Sequence, residues 1–131
     1  MFIYLFEAHS AFGPRTEEIY FRMQEHGDQL FTSHLALGEL LAGTYKRHPH
    51  LVASTQESFE ALGATILSFD ANAANAFGRL RATTSLNSPD AYHLATADTA
   101  GMDLFITCDK RLLRIRTPGI KFITDLETGL I

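Results

Sequence analysis

The stretch that most constrains this chain runs from Ser88 to Asp109, SPDAYHLATADTAGMDLFITCD. Ser88 can cap a helix, Pro89 suits its first position and Asp90 falls in its first turn. A carboxylate there sits where orphan N–H groups and the helix dipole favour negative charge. The helix continues through Ala91, Leu94 and Ala95 and stops near Gly101. Leu104, Phe105 and Ile106 then form a short apolar run, which suits a strand buried on both faces. Asp109 follows at the carboxyl end of that strand, the side of an open α/β sheet where ligands gather. One helix-start Asp and one strand-end Asp, joined by a single helix-to-strand unit, can therefore converge on one point.

Strand and helix signals alternate through the rest of the chain. Thr16 to His26 reads as an amphipathic helix with Ile19, Tyr20 and Met23 inward, stopped by Gly27. Gln29 to Thr32 reads as a strand, after which Ser33 caps a helix running to about Lys46. A turn at Arg47 to His50 precedes a helix from Leu51 to Leu62. Ala64 to Phe69 reads as a strand, and Asp70 caps a helix over Ala71 to Arg81. A basic, irregular piece follows Asp109, and Ile120 to Thr124 reads as a last strand. Met1 to Ala8 is ambiguous between a helix start and the end of a strand. Such alternation predicts a single α/β domain over residues 1–131, with a largely parallel sheet covered on both faces.

Length and an apolar share of 46% allow one compact core. The apolar opening Met1–Phe6 is too short for a signal peptide and lacks a basic leader. No segment approaches the roughly 20 apolar residues that cross a bilayer, so no membrane partner is expected. A single cysteine, Cys108, agrees with a reducing cytoplasm and reads as a small strand residue. The net charge of −4 does not advertise nucleic-acid binding. The basic residues are uneven, however: Lys110, Arg111, Arg114 and Arg116 crowd just after Asp109. They are placed to meet phosphates or simply to form a solvated segment.

The run Asp90-Ala-Tyr-His-Leu-Ala-Thr-Ala97, then Gly101, Asp103-Leu-Phe and Thr107-Cys-Asp-Lys-Arg-Leu112, resembles the PIN-domain family of metal-dependent nucleases, which includes the VapC-like toxins. The resemblance implies a three-layer α/β/α fold with a mainly parallel central sheet. Domains of that family open with a strand ending in Asp-Thr-Asn or Asp-Ser-Asn, followed by an apolar helix. Met1 to Glu7 looks like that helix without its strand, so the central N-terminal strand and its catalytic Asp are expected to be missing. Glu7 is a poor substitute on this reading, lying about two helical turns beyond the expected position. A sheet with that gap would expose strand edges and invite association.

Glu39 lies within Leu35-Ala-Leu-Gly-Glu-Leu-Leu, a largely apolar helix, where a carboxylate leans to solvent or finds a partner. The resemblance implies a site Glu at this point, and implies Asp90 and Asp109 as its companions. Asp90 otherwise serves as a helix-start acid and Asp109 as a turn residue. Thr107 points to the same side as Asp109 and could bond a carboxylate or a substrate phosphate, as could Lys110 and Arg111. Asp98 lies about 12 Å along the helix from Asp90, too far to share a metal, and Asp103 reads as a turn residue. His93 reads as a locally bonded helix histidine. His48 and His50 are two ligands on a turn, which rarely define a site.

Clustered carboxylates repel and hold protons unless a cation neutralises them. Oxygen ligands suit Mg²⁺ or Mn²⁺, and such ions activate water against phosphodiesters. No Walker loop or Gly-x-Ser-x-Gly elbow occurs. The resemblance thus implies an endoribonuclease cutting single-stranded RNA, as the toxin of a toxin–antitoxin pair. Glu39, Asp90 and Asp109 would hold the metal. A homodimer and a cognate antitoxin are implied with it. The rival is a PIN-like protein that binds RNA or a partner without cutting, because the first Asp is lacking.

Overall fold

Phe2–Leu5 forms the first strand, β1, and it pairs in parallel with a neighbour on each side. The neighbours are β2 (Gln29–Thr32) and β4 (Met102–Thr107). Beyond them lie β3 (Thr65–Ile66) and β5 (Ile120–Asp125), giving a five-stranded, all-parallel sheet in the order β3-β2-β1-β4-β5. The computed structural model describes residues 1–5, 14–107 and 109–125. Its helices are α1 (Pro14–His26), α2 (His34–Arg47), α3 (Val52–Ala61), α4 (Ala71–Thr83) and α5 (Ser88–Ala100). Single 3₁₀ turns occupy Pro49–Leu51 and Lys110–Arg114.

The expectation of a missing N-terminal strand is corrected. Residues 2–5 are the centre of the sheet, with Ile3 opposite Leu30 on one side and Leu104 on the other. No gap exists at the centre, so the edges that a gap would have exposed do not arise. A six-residue apolar run carries too little periodicity to separate strand from helix; two waiting parallel neighbours decide it. Glu7 and Cys108 themselves lie outside the described residues.

Successive residues of β1 face opposite sides, as strand geometry requires. Ile3 joins Leu104 and Ile106 beneath Ile19 and Met23 of α1. Tyr4 turns the other way, stacking on Phe105 with centroids 5.1 Å apart. Leu80 of α4 and Ala91, Leu94 and Ala95 of α5 close over that face. Helices on both faces make the three layers, and each fully buried Leu or Phe contributes roughly 1.5–3 kcal/mol. Ala36 and Leu40 of α2 pack with Phe59 of α3, beside Ile66. Among the described residues no helix is long and apolar enough to cross a membrane.

Local chemistry sets the helix ends. The Ser33 hydroxyl accepts from the Ala36 amide at 3.1 Å, and the Asp70 carboxylate accepts from Ala73 at 3.0 Å. The cap of α5 is Asn87, whose side chain accepts from the Asp90 amide at 2.9 Å, so Ser88 is the first helical residue and not the cap. Gly101 ends α5 in the left-handed region (φ 80°), which favours glycine. The strand expected over Ala64 to Phe69 shrinks to two residues, and the irregular piece after Asp109 is a 3₁₀ turn.

Asp98, near the end of α5, has a structural task away from the carboxylates. Its side chain is 8% exposed, accepting from the Gly119 amide at 2.6 Å and pairing with Arg79 of α4 at 3.2 Å. This ties α4, α5 and the approach to β5 together. Gly119 fits so closely that a β-carbon there would overlap the Asp98 carbonyl. Gly119→Ala is expected to destabilise the fold by about 1–3 kcal/mol, as overpacking does. Chemical denaturation checks this, and an unchanged midpoint would show that the loop before β5 yields freely.

Candidate functional site

The carboxyl ends of the strands carry the candidate residues. Ser33, directly after β2, starts α2 and so brings Glu39 over the sheet edge; Asn87 starts α5 with Asp90 in its first turn; Asp109 follows β4. Glu39 is half-exposed, and its Oε1 lies 2.9 Å from Nε2 of His93, a side chain with no exposed surface. The other ring nitrogen, Nδ1, is 2.7 Å from the Tyr4 hydroxyl and 3.4 Å from Ser33 Oγ. An ionised carboxylate only accepts, so Nε2 carries the hydrogen. In the neutral ring Nδ1 then accepts from the Tyr4 hydroxyl. Burial, ahead of any neighbour, pushes the Tyr4 phenol well above its ordinary pKa, so it stays a neutral donor.

His93 is therefore more than a locally bonded helix histidine. It connects the central strand to Glu39, 54 positions away in sequence. The signal available in sequence was its i+3 spacing from Asp90, which places both on adjoining turns of one face.

Asp90 is 7% exposed. Burial raises its pKa first and the charge of Asp109 adds to this, while Arg111 and His93 oppose and Glu39 adds again. The charges of Asp109 and Glu39 thus both act on Asp90. Asp109 behaves oppositely. Its pKa is lowered, chiefly by hydrogen bonds from the Arg111 side chain. Nη2 of Arg111 lies 2.6 Å from Oδ2, and its Nε reaches Oδ1 and Oδ2 at 3.0 and 3.1 Å. The carboxylate also accepts from the Arg111 amide at 2.9 Å, opening the 3₁₀ turn.

Thr107 is wholly buried, and its hydroxyl accepts from the Asp109 amide at 3.0 Å, shaping the turn that carries Asp109. Lys110, Arg111, Arg114 and Arg116 are all exposed, forming a basic flank beside the carboxylates. Asp103 pairs with Lys121 of β5 at 3.0 Å. The rings of His48 and His50 meet edge-on, 6.1 Å between centroids.

The donor chemistry fits a hard divalent cation. Glu39, Asp90 and Asp109 offer only oxygen, and Asp90 in particular bears negative neighbours that a cation would offset. As they stand, Glu39 is held by His93 and Asp109 by Arg111. Among the described residues no three His, Cys, Asp or Glu are grouped as ligands of one ion.

A model of the PIN domain matches residues 1–118. Solved structures share the fold. VapBC2 from Rickettsia felis, bound to a DNA fragment from its promoter, has a TM-score of 0.76 at 17% identity, covering 95% of this chain and 98% of the other. DNA-bound VapBC from Salmonella typhimurium gives 0.70 at 23%, covering 95% and 97%. A toxin–antitoxin complex from Klebsiella pneumoniae gives 0.67 at 24%, covering 92% and 95%. No curated protein sequence matches the chain.

Two outcomes follow from this geometry. His93→Leu takes the Nδ1 acceptor from the buried Tyr4 hydroxyl, leaving it Ser33, and releases Glu39; it is expected to cost about 1–3 kcal/mol in denaturant unfolding. A cost near zero would mean that Tyr4 and Glu39 find other partners. Asp90 gives a pH signature. Its native pKa is raised, so the stability this group contributes is full below the ordinary value of 3.8 and is lost as pH rises through the raised value. Asp90→Asn is neutral throughout and should melt above the wild type at neutral pH, with the gap closing as pH falls toward 3.8. Asp109 and its opposite shift are common to both proteins and cancel in the comparison. A gap that widened on acidification would contradict this assignment.

Proposed function

We propose a function from one premise: the chain belongs to the PIN-domain family. It is a divalent-metal-dependent endoribonuclease that hydrolyses phosphodiester bonds in single-stranded RNA, and it serves as the toxin of a toxin–antitoxin pair. The observation that supports this best is that Asp90, buried in the first turn of α5, feels the charges of both Asp109 and Glu39. The likeness in fold to the Rickettsia, Salmonella and Klebsiella assemblies supports the toxin role. A cognate antitoxin partner, a homodimer and a cytoplasmic location belong to the same reading.

Glu39, Asp90 and Asp109 would hold Mg²⁺ or Mn²⁺. When bound, such an ion activates water and offsets charge developing on the phosphodiester. The protein's own residues do the positioning. Tyr4 and His93 hold Glu39 from beneath, through the bond from His93 Nε2 to its Oε1. Thr107 fixes the backbone that presents Asp109. The Arg111 fork suits a phosphate as well as a carboxylate. In this reading Arg111 moves from Asp109 to the RNA backbone, with Lys110 beside it.

The Arg111–Asp109 fork also favours a second reading, a PIN-like protein that binds RNA or a partner without cutting, since an internal cation already neutralises Asp109. Calorimetry with Mn²⁺ and a cleavage assay on single-stranded RNA separate the two. The nuclease reading expects Mn²⁺-dependent cutting by the wild type. It also expects Mn²⁺ affinity at least about tenfold weaker in Asp90→Asn, equivalent to 1.4 kcal/mol, with the fold intact. Wild-type protein that binds RNA but neither takes up Mn²⁺ nor cuts would establish the second reading.

A further inference from the structure

A row of rings leads from the core to the surface beside the carboxylates. Tyr92, next to His93 on α5, meets the His93 ring edge-on with centroids 5.6 Å apart. Phe69 stacks on Tyr92, 4.6 Å between centroids and 10° from parallel. Phe77 of α4 braces Phe69 at 83° and 6.0 Å. Phe69 is the outermost ring, with 37% of the residue exposed. It lies between β3 and the α4 cap Asp70, hence on the same carboxyl edge as Glu39, Asp90 and Asp109. Tyr92 follows Asp90 by two residues, so the inner ring of the stack belongs to the turn that carries the site.

Two kinds of surface therefore border the carboxylates. An exposed aromatic ring packs on Tyr92, two residues along α5 from Asp90, and the exposed basic segment of Lys110, Arg111 and Arg114 follows Asp109. Single-stranded nucleic acids are gripped by this combination, with ring faces for bases and cations for phosphates. The basic segment speaks for a polyanion over an apolar peptide as the occupant.

We propose that Phe69, backed by Tyr92, is a stacking platform for an unpaired base of an RNA strand whose backbone passes the carboxylates. This rests on the ribonuclease reading and adds a positioning residue for its substrate. Stacking accepts any base, so the platform holds the strand without reading its sequence.

The test uses the full chain, a short single-stranded RNA oligonucleotide and a chelator that prevents cutting, with binding read by fluorescence anisotropy. Phe69→Leu keeps apolar bulk but removes the ring, and should weaken binding roughly tenfold. Phe69→Trp should restore it. A set of oligonucleotides, each with one abasic position, should contain one that binds the wild type and Phe69→Leu alike. In Mn²⁺ the variant should raise KM while kcat holds. Equal affinity of wild type and Phe69→Leu for the intact strand overturns the platform. So does an undiminished loss on every abasic strand, which would assign Phe69 to packing or to a protein partner. In either case, continued Mn²⁺-dependent cutting at saturating RNA leaves the ribonuclease reading standing. Wild-type protein that neither binds nor cuts RNA removes both.

Discussion

A hydrogen bond of 2.7 Å between the Tyr4 hydroxyl and His93 Nδ1 joins the central strand to α5, and the far side of the same ring holds Glu39 of α2. Three elements separated in sequence thus share one buried imidazole. The bond lies in a dry environment, where a polar group without a partner costs far more than a partnered one contributes. Tyr4 therefore cannot drop its partner cheaply, and its ring is pinned besides by stacking on Phe105. That combination sets the height and rotation of α5 over the sheet, and with it the place of Asp90 one turn earlier.

Asp90 shows what that placement costs. A carboxylate that is nearly sealed from water and feels two other carboxylates has its pKa raised, and Arg111 and His93 oppose that rise. Arg111 is best placed to balance the cluster because its planar fork satisfies both oxygens of Asp109. It is also exposed and local, two residues from its partner, so exchanging Asp109 for another anion requires little reorganisation. A cluster stabilised by an exposed side chain is suited to receiving a ligand. One sealed by a buried guanidinium would not be.

Much of the architecture was legible in short segments. Gly101, Asp70 and Ser33 marked helix ends because capping chemistry depends on residues three or four apart. The strand Gln29–Thr32 and the helix following it needed nothing beyond local apolar pattern and a cap. Motif order, through the family resemblance, singled out Glu39, Asp90 and Asp109 as candidates. The opening strand was not. Residues 2–5 are apolar throughout, and only the partners on either side, β2 and β4, make them the centre of the sheet.

His93 and Phe69 make the same point at the level of side chains. His93 in sequence was a helix residue with several acceptable fates, since the tyrosine and glutamate that claim it lie 89 and 54 positions away. Phe69 stood at the end of an expected strand; its stack on Tyr92 depends on how α5 lies against the end of β3. Local propensity and capping determined which segments are helices, and the order of strands and helices determined the α/β class. Which strand lies centrally, which ring meets which and which cation offsets which carboxylate were decided by tertiary structure alone. Hydrogen bonds and charges act between neighbours in space, whatever their distance along the chain.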